Sequence, residues 1–178
     1  MKTTSPLGLV LVCALAVSVW AKDGKKTVLQ YGDGAPDGKR SLGGSGEMIR
    51  FELPKKGLKV IGVRIHGSRY GMPDSPNESF LIFFMTDDLT EIAHAAMAPY
   101  ALFNRGEEQW VEALFRESVE VPKEFWVVLD FRAHRTKGVY VSYDTSTGGK
   151  HSRIGLPGLP DKEVDFGGDW MIEVMLAQ

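Results

Sequence analysis

The chain has 178 residues, with 21 basic and 23 acidic side chains and a net charge of −2. That near balance argues against a dedicated nucleic-acid binder, which concentrates basic charge, and one cysteine in the whole chain rules out an internal disulfide framework. The length suits a single domain around one hydrophobic core.

Residues 1–21 differ from the rest. Lys2 gives a positive start, GLVLVCALAVSV is an apolar run of twelve, and Val19-Trp20-Ala21 ends it with small residues at the −3 and −1 positions. The pattern predicts a secretory signal cleaved after Ala21. The run is shorter than the roughly 20 apolar residues needed to cross a bilayer, so no membrane span is expected. Cys13 follows Val12, where a lipoprotein signal needs a small residue, and no lipid anchor is expected either. Removing this segment takes away Lys2 and no acid, leaving 157 residues with 20 basic and 23 acidic groups and no cysteine. The expectation is a secreted or periplasmic protein, free of disulfides and held by its core.

Beyond residue 21, nine short segments alternate in polarity or are apolar throughout: 27–31, 47–53, 58–67, 79–86, 91–97, 109–115, 124–131, 138–144 and 170–176. Gly- and Pro-punctuated pieces such as GDGAPDGKRSLGGSG and GLPGLPDKE separate them as turns and loops. One stretch competes as a helix: Asp88 and Glu91 have capping-box spacing ahead of an Ala-rich run. Pro99 cuts it short, and Ile92, His94 and Ala96 alternate with Ala93, Ala95 and Met97, which favours a strand. Period-two reading places Ile61, Val63 and Ile65, then Phe125, Val127, Leu129 and Phe131, then Trp170, Ile172, Val174 and Leu176 in the core. The opposite faces, with Arg64 and His66, then Trp126, Val128, Asp130 and Arg132, then Met171, Glu173 and Met175, read as partly wet. The predicted class is all-β, an antiparallel two-sheet β-sandwich, jelly-roll-like, of about nine strands.

The order LQYGDGAPDGKRSLGGSGEMIRFELP followed by LKVIGVRIHGSRYG resembles the jelly-roll or galactose-binding-like accessory modules of secreted bacterial proteins. Lys137–Asp144, Gly149–Ser152, Gly155–Gly158 and Gly168–Leu176 are similar to later segments of the same group. The group includes domains that occur alone or appended to secreted peptidase-type and signalling proteins. The resemblance implies the fold and a non-catalytic role; a fold by itself does not assign a function.

Familiar catalytic and metal motifs are incomplete. An EF-hand at DGAPDG fails, because Ala35 occupies position three and Gly44 position twelve. A structural calcium site using Asp33, backbone carbonyls and Asp169 stays open beside the simpler reading of an Asp-Gly turn. GGSGE puts Glu47 where a nucleophile elbow needs Gly, and a strand follows in place of a helix. GGKHS lacks the first glycine and the final Ser or Thr of a phosphate loop. His66, His94, His134 and His151 lack zinc-motif spacing.

The remaining grouping is polar and aromatic. His66, Arg69 and Tyr70 follow one strand; Arg132, His134 and Tyr140 flank another; Asp144, Lys150 and His151 lie in the loop YVSYDTSTGGKHSRIGLPG. If those strand ends adjoin, these nine residues form a ligand-binding rim from loops 66–72, 132–137 and 144–153. Forked Arg donors and aromatic faces suit an extracellular carbohydrate or protein surface. Two alternatives stay open: a hydrolase of glycosidic or ester bonds using loop carboxylates, and a structural domain docking through an apolar patch near Trp126 and Met171.

Overall fold

The computed structural model describes residues 27–177. The expected signal segment and Cys13 lie outside the described residues. The strands are β1 (Thr27–Leu29), β2 (Gly38–Arg40), β3 (Glu47–Glu52), β4 (Lys59–Gly71), β5 (Ser79–Thr86), β6 (Ile92–Pro99) and β7 (Gln109–Glu120). They continue as β8 (Glu124–Asp130), β9 (Lys137–Asp144), β10 (Ser152–Ile154), β11 (Lys162–Glu163), β12 (Asp169–Trp170) and β13 (Ile172–Leu176), with one 3₁₀ turn at Tyr100–Leu102.

One sheet contains the run β2-β9-β4-β7, and the other the run β3-β8-β5-β6. With these eight strands counted in chain order, each sheet interleaves early and late strands in the jelly-roll pattern. Every named strand pair is antiparallel. β13, flanked by β1, pairs with the first half of β4, and β12 pairs with β9. β10 and β11 extend the second sheet beyond β3.

Thirteen strands replace the nine expected. All nine segments are strands, and Ile92–Pro99 is the strand β6. The additions β2, β10 and β11 are two or three residues long and carry Lys, Arg or Glu, so no hydrophobic period marks them. Met171 divides the last segment into β12 and β13, its N–H donating to the Ser142 carbonyl and its own carbonyl accepting from the His66 N–H.

Alternate residues of both sheets meet in one core. Ile49 and Phe51, Val63 and Ile65, Phe80, Ile82 and Phe84, Phe125 to Phe131 in steps of two, and Trp170 to Leu176 in steps of two are all buried there. Truncating one such phenylalanine to Ala costs about 3–5 kcal/mol. Ile61 departs from the expected phase. A bulge in β4 between Val60 and Gly62 turns Val60 into the core and leaves Ile61 half-buried.

The outer faces also differ from the expectation. Trp126 and Val128 are buried with Met48 and Met85 in a second cluster on the outer face of the second sheet, packed by Phe83, Leu89 and Leu156. Arg153 lies 5.7 Å over the Trp126 ring, whose Nε1 donates to the Asp87 carbonyl at 3.1 Å. Met171, Glu173 and Met175 are buried as well. Trp126 and Met171 stand on different sheets, and neither offers an exposed docking patch.

Glu47 points into this interior from β3, fully buried, with Oε1 unpartnered. Burial holds its carboxyl well above the usual carboxylate range, against the backbone hydrogen bonds from Glu47 and Leu42 and with the Asp130 charge adding to the rise. Because the folded-state value is raised, the native state binds more protons than the unfolded chain once the pH passes about 4.5, and stability falls as pH rises. Urea denaturation from about pH 5 to about pH 8 should show that decline. Glu47→Gln should flatten it and gain about 1–3 kcal/mol at neutral pH.

Candidate functional site

Beyond the bulge, alternation along β4 puts Arg64, His66, Ser68 and Tyr70 on the outer face of the first sheet. The register places β13 Glu173 and β7 Glu112 on either side of Arg64, and β7 Trp110 beside His66. β9 Tyr140 lies opposite Ser68, and β2 Lys39 opposite β9 Ser142. Side chains at directly paired positions on one face interact, and here they form a continuous line.

At one end the Arg64 guanidinium donates to Glu173 at 2.6 Å, lies 3.6 Å from Glu112 and sits 4.8 Å over the Trp110 ring. Trp110 meets His66 edge-on at 5.2 Å, and His66 Nδ1 lies 2.8 Å from Ser142 Oγ. Ser68 Oγ donates to Glu108 at 2.8 Å; Glu108 also pairs with Lys39, whose ammonium stands 5.3 Å over the Tyr140 ring. Tyr140 packs at 4.8 Å on Tyr70, whose hydroxyl accepts from Ser41 and donates to the His134 carbonyl at 3.1 Å. Tyr70 lies directly over Gly138, where a Cβ would stand 2.3 Å from its hydroxyl oxygen and the ring would have to shift.

The electrostatics follow from these partners. The Lys39 ammonium holds the Glu108 carboxyl below its usual range despite some burial, so it is an anion at neutral pH. Burial lowers the His66 value, with Glu108 opposing, which keeps the ring neutral. The Glu173 carboxyl is raised by burial in spite of Arg64.

Of the nine rim residues expected from the sequence, His66, Tyr70 and Tyr140 come together on this face. Arg69 and Arg132 lie near the same end, but their guanidiniums are occupied. Arg69 donates to the carbonyls of Met72, at 2.7 Å, and Pro73, and Arg132 to that of Ser79. His134 closes a tight turn with Lys137, and its ring nitrogen accepts from Thr136. Asp144, Lys150 and His151 stand elsewhere. The residue pairs Gly71–Lys137 and Asp144–Asp169 mark opposite ends of β9, and seven residue steps along a strand span roughly 24 Å. The three loops therefore do not form one rim.

Asp144 is buried and serves the backbone. Oδ2 accepts from the N–H groups of Asp33 and Gly34, at 2.8 and 3.1 Å, and Oδ1 from the Ser146 N–H and hydroxyl, at 2.8 and 2.6 Å. His151 stacks flat on Tyr31 at 3.7 Å. Lys150 lines a 340 Å³ polar hollow with Arg153 and Glu163. Of the two calcium candidates, Asp33 Oδ1 accepts from the Ala35 N–H in its own turn, and Asp169 Oδ1 accepts from the His151 N–H while its Oδ2 is buried without a hydrogen-bond partner. Among the described residues, no three His, Cys, Asp or Glu side chains converge to hold a metal ion.

Sequence reasoning missed Lys39, Glu108 and Trp110. Trp110 had a readable signal, because it alternates with the inward Val111 and Ala113. Lys39 and Glu108 had none, as one lies in a three-residue strand and the other just before β7. The Ser142–His66 pair has the composition of a hydrolytic dyad, but Ser142 is 1% exposed, with its hydroxyl turned to the ring.

No protein-family profile matches the sequence, and no curated protein does. Solved structures that share its fold include two of clostridial cysteine proteases. One contains the cysteine protease and lectin-like domains of Cwp84, a surface layer associated protein of Clostridium difficile, with 13% identity and a TM-score of 0.60 over 88% of this chain. The other is a clostridial Cwp84 cysteine protease variant after propeptide cleavage, with 13% identity and a TM-score of 0.61 over 88% of this chain. This chain spans 37% and 41% of those two chains. At that identity the likeness is one of fold, and it fits a β-sandwich.

An amide at position 144 must turn its NH₂ toward one of the two pairs of donors that the carboxylate accepts from. Asp144→Asn should therefore lose about 2–4 kcal/mol of stability, read from urea denaturation at neutral pH.

Proposed function

We propose that the protein is a non-catalytic binding module that recognises an extracellular glycan or glycan-bearing surface through the outer face of its first sheet. The observation that carries this reading is the pair Tyr70–Tyr140 beside the Lys39–Glu108 ion pair, displayed on an open sheet at the end of the line from Arg64. Tyr140 is 37% exposed, enough for its ring to meet the C–H face of a sugar. Glu108 accepts from hydroxyls and Lys39 donates to them, as charge-assisted bonds between fixed partners. His66 and Trp110 extend the platform toward Arg64.

Two findings support this assignment. One fold neighbour contains a lectin-like domain in a surface layer associated protein. The residues on the face are arranged to hold one another rather than to activate a nucleophile, which favours binding over hydrolysis.

Gel retardation against a panel of immobilised bacterial and matrix polysaccharides tests the reading. At least one should retain the protein. Tyr140→Ala should weaken that retention by about tenfold or more while thermal unfolding stays unchanged. No retention by any polysaccharide, or retention indifferent to Tyr140, would remove the platform.

A further inference from the structure

Resting on the glycan-binding reading of that face, we infer that its ligand is a neutral polysaccharide of the flat-ribbon kind, met at alternate sugar units by Trp110 and Tyr140. The two rings stand in matching surroundings. Arg64 lies 4.8 Å over the Trp110 ring and donates to Glu173. Lys39 lies 5.3 Å over the Tyr140 ring and pairs with Glu108. Each set thus joins an aromatic ring, a cation that holds it and a carboxylate that balances the cation. An aromatic ring takes the C–H face of a sugar, and the charged pair beside it exchanges hydrogen bonds with sugar hydroxyls. A surface that offers the same groups twice suits a ligand that repeats.

Strand geometry sets the repeat. β7 and β9 lie on opposite sides of β4, since Gly67 pairs with Gln109 on one and with Val141 on the other. Trp110 stands opposite His66, and Tyr140 opposite Ser68, so the two are offset by two strand spacings across and two residues along. At about 4.8 Å per strand and about 3.4 Å per residue, their Cα atoms are roughly 12 Å apart. One sugar ring cannot touch both side chains, whereas the first and third units of an extended chain can. The middle unit then lies over His66 and Ser68. A chain of equatorially linked sugars is flat and turns alternate units the same way, which matches two rings on one sheet face. An axially linked chain curves away from it. Charge sets the rest. On this line Glu108, Glu112 and Glu173 outnumber Arg64 and Lys39, and both cations already stand beside carboxylates. A chain carrying uronates or sulfates therefore meets like charge with no free cation to offset it.

The test is calorimetric titration of the exported protein with cello- and chito-oligosaccharides of one to six sugars, beside amylose fragments and oligogalacturonates of the same lengths. A flat neutral series should bind from three sugars upward, about tenfold or more above its disaccharide, and the curved and charged series should not. Trp110→Ala should remove that step and leave the disaccharide unchanged, with the melting temperature kept. A second readout needs no variant. Trp126 and Trp170 are only 6% and 2% exposed, so acrylamide quenching of tryptophan emission reports Trp110 and should fall when the trisaccharide binds. Tyr140-dependent retention with an affinity indifferent to chain length or to Trp110, quenching unchanged by bound trisaccharide, or a preference for curved or charged chains would each overturn the inference and leave the platform standing. A protein that binds no glycan at all loses the platform and this ligand together.

Discussion

The phase of one strand decides both what this protein hides and what it shows. β4 has thirteen residues and three partners, with β13 and β9 sharing one side and β7 on the other. A strand turns successive side chains to opposite faces, so a slip of one residue would expose Val63 and Ile65 and bury Arg64 and His66. Continuous pairing with β7, β13 and β9 beyond the bulge fixes that phase. Core and platform are two readings of one register.

The two outer faces are finished in opposite ways. On the second sheet, Met48, Met85, Trp126 and Val128 are sealed by neighbouring apolar side chains, leaving little polar chemistry to offer. On the first, charged and aromatic groups support one another from Glu173 to Tyr70. Exposed ion pairs such as Lys39–Glu108 add little to stability. Their value lies in holding side chains in a fixed geometry, and a preordered surface loses less entropy when a ligand arrives.

Much of the fold was legible because alternation is a local signal. Phe125 to Phe131 and Trp170 to Leu176 announce their inward faces without reference to any partner. The short strands were not legible, because Gly38–Arg40 pairs with β9 through backbone bonds that no side-chain pattern encodes. The expected rim failed for a related reason. Sequence marks where a strand ends but not which pole that end occupies, so Asp144 and His134 looked adjacent when β9 separates them. Arg69, Arg132 and Asp144 looked like ligand groups, and the backbone had already claimed them. Tyr70 and Tyr140 do come together, because each lies on a strand whose period was readable and the two strands pair.

One fold neighbour contains the cysteine protease and lectin-like domains of a surface layer associated protein, at an identity that transfers no residue roles. The platform therefore stands on its own geometry. The most direct measurement is an amide-resolved magnetic resonance titration with oligosaccharides cut from bacterial envelope and matrix polysaccharides. The account predicts that shifts concentrate on β4 from His66 to Tyr70, on β9 around Tyr140, and at Lys39 and Glu108. Shifts confined to residues 144–153, with the sheet face silent, would contradict it.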